Sequence, residues 1–260
     1  MNKKNLLLPN APAYMVALND INNSKKFRKK ETAWWDKDGG FKAVNADGSV
    51  IIKADTQEKL DEALKRLTPT GQKGFAYILN YSIQNGYIGE FEIDMNEMLE
   101  VLGLIRRTNN IDRLIEYLIV LKSVSFRSNL EIWRKNRKGE RTGTPRKLIL
   151  ESSLITDCER EMSGKKVKWI RIRLGKWIEH LKIARDSKDL PLLTLPLECL
   201  KVDTKKFPYS FGAPYRMAQY ARINEKKKAE WHTLSFKEVI EGVEPWEKAE
   251  TEMKKRGFRN

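Results

Sequence analysis

The stretch that decides the fold runs from residue 91 to residue 127 and reads FEIDMNEMLEVLGLIRRTNNIDRLIEYLIVLKSVSFR. Residues 91–93 alternate apolar and polar side chains, as in a short half-buried strand. Asp94 then stands where a helix N-cap is expected, and Glu97 follows three residues later, the spacing of a capping box. Apolar residues continue at helical spacing up to Gly103, which can adopt the left-handed conformation that ends a helix. The first half therefore predicts a strand and a short helix.

A second helical pattern follows after a short turn. Apolar residues recur at three- and four-residue intervals from Ile111 to Leu121, and residues 108–110 can cap the start of this helix. Residues 124–126 then alternate again as in a strand. Upstream, residues 68–86 predict another helix, with Thr68 as its cap and a proline at its first position. Helix, strand, helix, turn, helix and strand is the order of a winged helix-turn-helix, which places its second helix in the DNA major groove.

Charge is sorted along this stretch. Acidic residues occur between Gly74 and Ile105 without any Lys or Arg, whereas two arginines open the second helix. Arg and Asn side chains suit bidentate contacts to base edges, and Tyr can contact phosphate. We therefore expect the base-reading residues to be Arg106, Arg107, Asn109, Asn110, Arg113 and Tyr117. The same pattern also fits a plain helical hairpin with a solvated face.

The segment that follows is strongly basic. Gly139, Gly143 and Pro145 interrupt it, so it predicts two strands joined by a flexible basic loop, the wing. Such a loop favours contacts to phosphates, which do not depend on base sequence. The expected backbone contacts are Arg127, Arg134, Lys135, Arg137, Lys138, Arg141, Arg146 and Lys147. A further strand is expected at residues 167–174, where Val167 is out of phase with the other apolar residues and indicates either a bulge or a shift in the strand register.

Composition bounds the function. The chain has 260 residues, 33% of them charged and 40% hydrophobic, with a formal net charge of +15, which indicates a globular protein with a polyanionic partner. No apolar run approaches the length of a membrane span. Two cysteines without a metal-binding spacing and only two histidines favour a cytoplasmic protein without a zinc site. No nucleotide-binding glycine motif occurs, and we expect no enzymatic activity, no cofactor and no metal.

The C-terminal part repeats some of these features. Ser235 and Glu238 form a second capping box, followed by Gly242, 141 residues after Asp94 by cap position. No wing strands follow this second pattern. The predicted fold is thus α+β, with two winged helix-turn-helix units in tandem, the second short of its wing. The expected domains are an arm, hairpin and helix of unassigned role at 1–67, a first winged helix at 68–185, and a second, partial one at 186–260.

The assembled pattern over residues 68–256 resembles the replication initiators of iteron-type plasmids, in the organisation of IncQ-like initiators. The resemblance rests on the capped helix at Asp94–Gly103, the second helix, the basic hairpin, and the strand-turn-helix WIRIRLGKW at residues 169–177. It implies binding of origin repeats in double-stranded DNA, duplex opening, and partners such as a host helicase or initiator and a second copy of the chain. A nucleoid- or plasmid-associated location would follow. The alternatives are a winged-helix transcriptional regulator or phage replication organiser and, less favoured because no suitably paired carboxylates occur, a nuclease or primase.

Overall fold

The computed structural model describes residues 5–9, 33–36, 40–45, 48–53, 66, 68–164, 166–186, 192–203 and 217–218. Helices and antiparallel sheets are mixed along the chain, which confirms the predicted α+β class. The second capping box, Ser235 to Gly242, lies outside the described residues, as does most of the predicted second winged unit.

Ten strands and four helices are described, together with one 3-10 helix (Leu197–Leu200). The strands are β1 (Asn5–Pro9), β2 (Ala33–Asp36), β3 (Gly40–Asn45), β4 (Gly48–Lys53), β5 (Glu90–Asp94), β6 (Val124–Lys135), β7 (Arg141–Ser153), β8 (Ile155–Ser163), β9 (Lys166–Leu174) and β10 (Leu192–Pro196). The helices are α1 (Pro69–Gln84), α2 (Met95–Val101), α3 (Thr108–Lys122) and α4 (Trp177–Asp186).

Helix α1 lies at the centre of the core. Every residue from Gly71 to Asn80 is buried, as expected for a helix that is surrounded by other elements. The Thr68 hydroxyl accepts a hydrogen bond from the Gly71 amide at 3.2 Å, and Pro69 occupies the first turn. The predicted cap and proline are therefore confirmed.

Helix α2 begins and ends where the sequence predicts. The Asp94 carboxylate accepts hydrogen bonds from the backbone amides of Asn96 and Glu97 at 2.7 and 3.1 Å. Gly103 has a φ of +65°, and the amides of Gly103 and Leu104 donate back to carbonyls of the last turn at 3.0 and 2.8 Å. This is a Schellman motif, in which the left-handed glycine turns the chain back over the helix end.

Strands β5, β9 and β8 form a three-stranded antiparallel sheet in that spatial order. Its inner face carries Phe91, Ile93, Ile170 and Ile172, all buried. The predicted bulge is confirmed: Glu161 pairs with Trp169 and Met162 pairs with Val167, so Lys168 is the extra residue. Because of this extra residue, Val167 also faces the core.

The basic hairpin β6–β7 belongs to another sheet. Its neighbours are the N-terminal strands, in the order β2-β3-β4-β6-β7, so the hairpin does not pair with β5 as a wing would. The two predicted strands are present, but the loop between them is shorter than the positions of Gly139, Gly143 and Pro145 indicated. The chain reverses in a short turn in which the Asn136 side-chain oxygen accepts from the amides of Lys138 and Glu140 at 2.9 and 3.0 Å. Gly143 and Pro145 lie within β7.

The core crosses both predicted domain boundaries. Strand β1 pairs with β10, and Leu6, Leu8, Leu193 and Leu195 are buried in the same core as α1. Residues 5–9, assigned to an arm, therefore form a core strand, and residues 192–200, assigned to the second unit, pack in the core of the first. Sheet pairing between distant segments is invisible to local sequence patterns, which is why both assignments failed.

Lys73 connects α1 to the segment after β10 through two hydrogen bonds. Its side chain is 1% exposed, and its ammonium nitrogen donates to the carbonyl oxygens of Leu200 and Val202, both at 2.6 Å. Burial lowers the pKa of this ammonium from 10.5 to about 8, and the nearby carboxylate of Asp203 opposes that shift. A buried lysine is stabilised only when its donors are satisfied, and these carbonyls supply the acceptors.

Candidate nucleic-acid interface

Helix α3 packs directly on the backbone of α1. A Cβ atom added to Gly71 would lie 2.1 Å from Cδ2 of Tyr117, and one added to Gly74 would lie 2.9 Å from Cδ2 of Leu114. The two glycines, three residues apart on one face of α1, leave room for these larger side chains. This close crossing fixes which face of α3 points outward.

The prediction that Tyr117 reads bases is wrong. Its side chain is 1% exposed, and burial raises the pKa of its hydroxyl. The hydroxyl oxygen is buried without a hydrogen-bond partner among the described atoms. Tyr117 is a core residue that packs over Gly71, and it cannot contact DNA in this structure.

The exposed arc of α3 is turned from the predicted face by about one residue, roughly 100° around the helix. Its exposed side chains are those of Thr108, Asn109, Asp112, Arg113, Glu116, Ile119 and Lys122. The middle of this arc is therefore acidic and apolar. Basic and amide side chains that point to solvent are concentrated at the N-terminal end, where Arg107, Asn109 and Arg113 are exposed.

Two other predicted base-reading residues make local hydrogen bonds. The half-buried Asn110 donates from its side-chain amide to the carbonyl of Ile105 at 2.8 Å and so braces the turn between α2 and α3. The Arg106 guanidinium donates to the carbonyl of Val167 at 3.1 Å. Arg106 and Asn110 thus hold the start of α3 in place.

The β8–β9 hairpin lies along α3. Arg106 joins the start of the helix to β9, and at its other end Lys122 forms an ion pair with Asp157 of β8 at 3.1 Å. The hairpin turns at Gly164, whose φ is +59°. Near the turn, Arg160, Lys166 and Lys168 are exposed. We call these residues, with Arg107, Asn109 and Arg113, the α3 surface.

The hairpin residues of the α3 surface were missed in the sequence. The available signal for a basic turn here is a glycine followed by lysines. It lies between two alternating segments at 155–163 and 166–174. The larger charge of residues 127–147 directed the wing prediction to the β6–β7 hairpin instead.

The outer face of the three-stranded sheet differs from the α3 surface because its arginines are paired with carboxylates. Arg171 pairs with Glu92 and, at 3.3 Å, with Glu159, and Arg173 pairs with Glu90 at 2.9 Å. The hydrogen bond from Arg173 lowers the pKa of the Glu90 carboxyl. Exposed pairs of this kind add little stability, but they neutralise both guanidinium charges. With further carboxylates at Asp94, Asp157 and Glu161 in the same register, this face is unsuited to phosphate.

The end of the β6–β7 hairpin is a second basic surface, the hairpin tip. Exposed side chains here are Arg134, Arg137, Lys138, Arg141, Arg146 and Lys147, whereas Lys135 is half-buried. The side chain of Arg127 lies outside the described residues. The Arg141 guanidinium lies 5.4 Å from the centre of the Trp133 ring, a cation–π contact.

The hairpin tip and the α3 surface are separate. Both hairpins start from one place, where the Leu154 amide donates to the Val124 carbonyl at 2.8 Å, but they enter different sheets. Strand β6 is 12 residues long, so the tip lies roughly 40 Å along the hairpin from Val124. The two surfaces are therefore too far apart to enter the same groove of a duplex.

No group of three or more His, Cys, Asp or Glu side chains that could hold a metal ion occurs among the described residues. In the same part of the chain, no helix is long and apolar enough to cross a membrane.

No protein-family model matches the chain, and no curated protein matches it. Among solved structures, it is similar to the crystal structure of selenomethionine derivatives of domains 2 and 3 of RctB, with 10% identity and a TM-score of 0.35, over 79% of this chain and 74% of that one. A second crystal structure of RctB domains 2–3 gives 11% identity and a TM-score of 0.35, over 78% and 74% of the two chains. At this TM-score the likeness is too loose to say what this chain does.

Proposed function

We propose that this chain binds double-stranded DNA as a winged helix-turn-helix protein and reads bases with the N-terminal end of α3. The observation that carries the proposal is the α3 surface itself. It presents Arg107, Asn109 and Arg113 at the start of the second helix of a tightly packed pair, and recognition helices contact base edges with their N-terminal residues. The net charge of +15 supports a polyanionic partner.

In this proposal the wing is the β8–β9 hairpin. It follows α3 in the chain and pairs with β5, the strand between α1 and α2. The β6–β7 hairpin is then an insertion between α3 and the wing. Lys166 and Lys168 at the wing would contact phosphate, since ammonium groups bind the backbone without choosing a sequence.

The chemistry of the reading end favours purines. Arginine pairs bidentately with the O6 and N7 of guanine, and asparagine with the N6 and N7 of adenine. Each good pair of this kind discriminates against a wrong base by about 1–3 kcal/mol. Asp112 lies between Asn109 and Arg113 on the same exposed arc, and a carboxylate there can accept from the N4 amino group of cytosine.

We further propose that the bound DNA is a set of origin repeats and that binding initiates replication of a plasmid or phage-like replicon. The pattern resemblance to iteron-type initiators supports this role. A winged-helix transcriptional regulator is the second candidate, and it would bind DNA in the same way without opening it. Permanganate reactivity of thymines beside the bound site on a supercoiled plasmid separates the two, because only an initiator unpairs them.

The proposal of DNA binding is tested by titrating the full-length protein into a labelled random-sequence duplex at several salt concentrations. We expect the logarithm of the binding constant to fall linearly with the logarithm of the salt concentration, with a slope of about −0.9 per phosphate contacted. Binding that does not depend on salt, or no binding at all, would contradict the proposal.

We propose that the chain has no nuclease or primase activity of its own. Incubation of the same duplex and of a supercoiled plasmid with Mg²⁺ and nucleotides should leave both DNAs intact and give no primers. Nicks or primers that appear with purified protein would overturn this.

A further inference from the structure

The hairpin tip contains an aromatic ring in an irregular part of the strand pair. Ile132 pairs with Arg146 and Arg134 pairs with Thr142, so the single residue Trp133 stands opposite three residues of β7. Bulges of this kind re-aim a side chain and often occur beside functional sites.

The strand opposite this ring has open space around Gly143. Gly143 is one of the three residues opposite Trp133, and it has a φ of +70°. A Cβ atom added to Gly143 would meet no atom within 4 Å. The Trp133 side chain is only half-buried.

The surroundings of the ring are cationic. Arg141 lies over it at 5.4 Å from the ring centre, and it pairs across the hairpin with Lys135, which shares the face of Trp133 by strand alternation. By the same alternation, the exposed Arg134 and Arg146 add positive charge on the other face of the hairpin. The turn is held in shape by the hydrogen bonds of Asn136.

A half-buried ring with an arginine over it and a lysine on the same face is an arrangement that binds unpaired nucleotides. Bases stack on the aromatic face, while the cations follow the phosphates. A closed duplex offers no free base face on which the ring can stack. Any contribution of the tip to duplex binding therefore comes from its charged side chains and not from Trp133.

We infer that the hairpin tip is a binding site for single-stranded DNA, in which Trp133 stacks on an unpaired base. This goes beyond the proposed duplex binding by the α3 surface and uses other residues. The tip lies on a different sheet from the α3 surface, so an unpaired strand of a partly opened duplex and the intact flank can be held by different parts of one molecule.

The chain offers a matched control. Trp169 is also half-buried and also lies beside a cation, with the Lys168 ammonium 5.8 Å from its ring centre. Its cross-strand neighbours are Asp94 and Glu161, however, whose carboxylates repel phosphate. Trp169 therefore has the same chemistry in a setting that does not suit a polyanion.

The test compares full-length wild-type protein with Trp133→Ala, Trp133→Phe and Trp169→Ala, using labelled oligo(dT) and a duplex of equal length. We expect Trp133→Ala to weaken oligo(dT) binding about 5- to 150-fold, the loss of one base stack, while duplex affinity stays within twofold. Trp133→Phe should keep most of the affinity for oligo(dT), and Trp169→Ala should keep all of it. Thermal unfolding of each variant checks that the fold is retained.

Three outcomes would overturn the inference. Equal losses for oligo(dT) and duplex with Trp133→Ala would assign Trp133 to the stability of the hairpin. Equal losses with Trp133→Ala and Trp169→Ala would show no preference for the tip. Tighter binding of oligo(rU) than of oligo(dT) would overturn the assignment to DNA. Failure of the duplex arm in wild-type protein would contradict the proposed function instead, so the two failures are distinguishable.

Discussion

Residues that look alike in α3 and in the turn before it have different roles in the structure. Arg106 and Asn110 brace the start of the helix, Tyr117 is buried, and Arg113 is exposed. The helical spacing predicts that these side chains share one side of the helix, but not how far the helix is rotated against α1. That rotation depends on Gly71, which lies 46 positions from Tyr117 in the chain.

Tyr117 provides a direct test of the burial. Its hydroxyl has no partner among the described atoms, so Tyr117→Phe should raise the free energy of unfolding by about 1 kcal/mol. Sequence discrimination on DNA should not change. Urea unfolding and competition binding measure both, and Tyr117→Ala should lose about 3–5 kcal/mol as a cavity control. A loss of discrimination with Tyr117→Phe would return Tyr117 to the base-reading set.

Lys73 predicts a pH dependence. Its pKa is about 8 in the folded protein and 10.5 when unperturbed, so between these values the unfolded chain binds more protons and stability rises with pH. We expect Lys73→Met to be less stable than wild type by about 1–3 kcal/mol, because the carbonyls of Leu200 and Val202 lose their donor. The deficit should widen from pH 8 to pH 10. A deficit that shrinks over this range in urea unfolding would contradict the buried position of Lys73.

At the scale of secondary-structure elements, the sequence predicts the features that depend on neighbouring residues. The Asp94 cap, the Gly103 stop and the bulge at Lys168 each depend on a few consecutive residues, and all three are confirmed. Strand partners depend on distant residues. The pairing of β4 with β6 joins residues 48–52 to residues 124–128, and no local pattern specifies it. For the same reason the wing was assigned to the more basic hairpin.

The crossing of α1 and α3 should fail when a methyl group is added at Gly71. Gly71→Ala places a Cβ 2.1 Å from the Tyr117 ring, so we expect a loss of about 3 kcal/mol or more and weaker sequence discrimination. Gly89→Ala is the matched control, since its Cβ would meet Ile178 at an ordinary 3.6 Å. Unfolding of the two variants in urea provides the comparison. Equal stability of both would show that α3 does not pack on α1 at this point.

At the scale of the whole molecule, chain segments far apart in sequence complete one core. Strand β1 pairs with β10, and Lys73 binds the segment that follows it. The folding unit therefore extends beyond the predicted limits of 68 and 185. Composition and charge predicted a DNA partner without predicting this closure, because the leucines of β1 and β10 resemble any apolar run.

Truncation tests this closure. A chain that ends after Asp203 should unfold cooperatively, whereas one that ends after Asp186 should not. The shorter chain lacks Leu193, Leu195, Leu197 and Leu200, each of which is buried. Burial of a leucine contributes about 1.5–3 kcal/mol, so the four together approach the whole stability of a typical domain. Equal thermal unfolding curves for the two chains would sink this account of the core.

The claim that the N-terminal end of α3 reads bases is tested most directly by selecting bound duplexes from a random-sequence pool. Wild-type protein should enrich one sequence. A variant with Arg134, Arg137, Lys138 and Arg146 changed to Gln should enrich the same sequence with lower affinity, because phosphates look alike along the duplex. A variant with Arg107, Asn109 and Arg113 changed to Ala should still bind DNA but enrich no sequence. If that triple variant enriches the same sequence as wild type, bases are read elsewhere and the assignment of α3 is wrong.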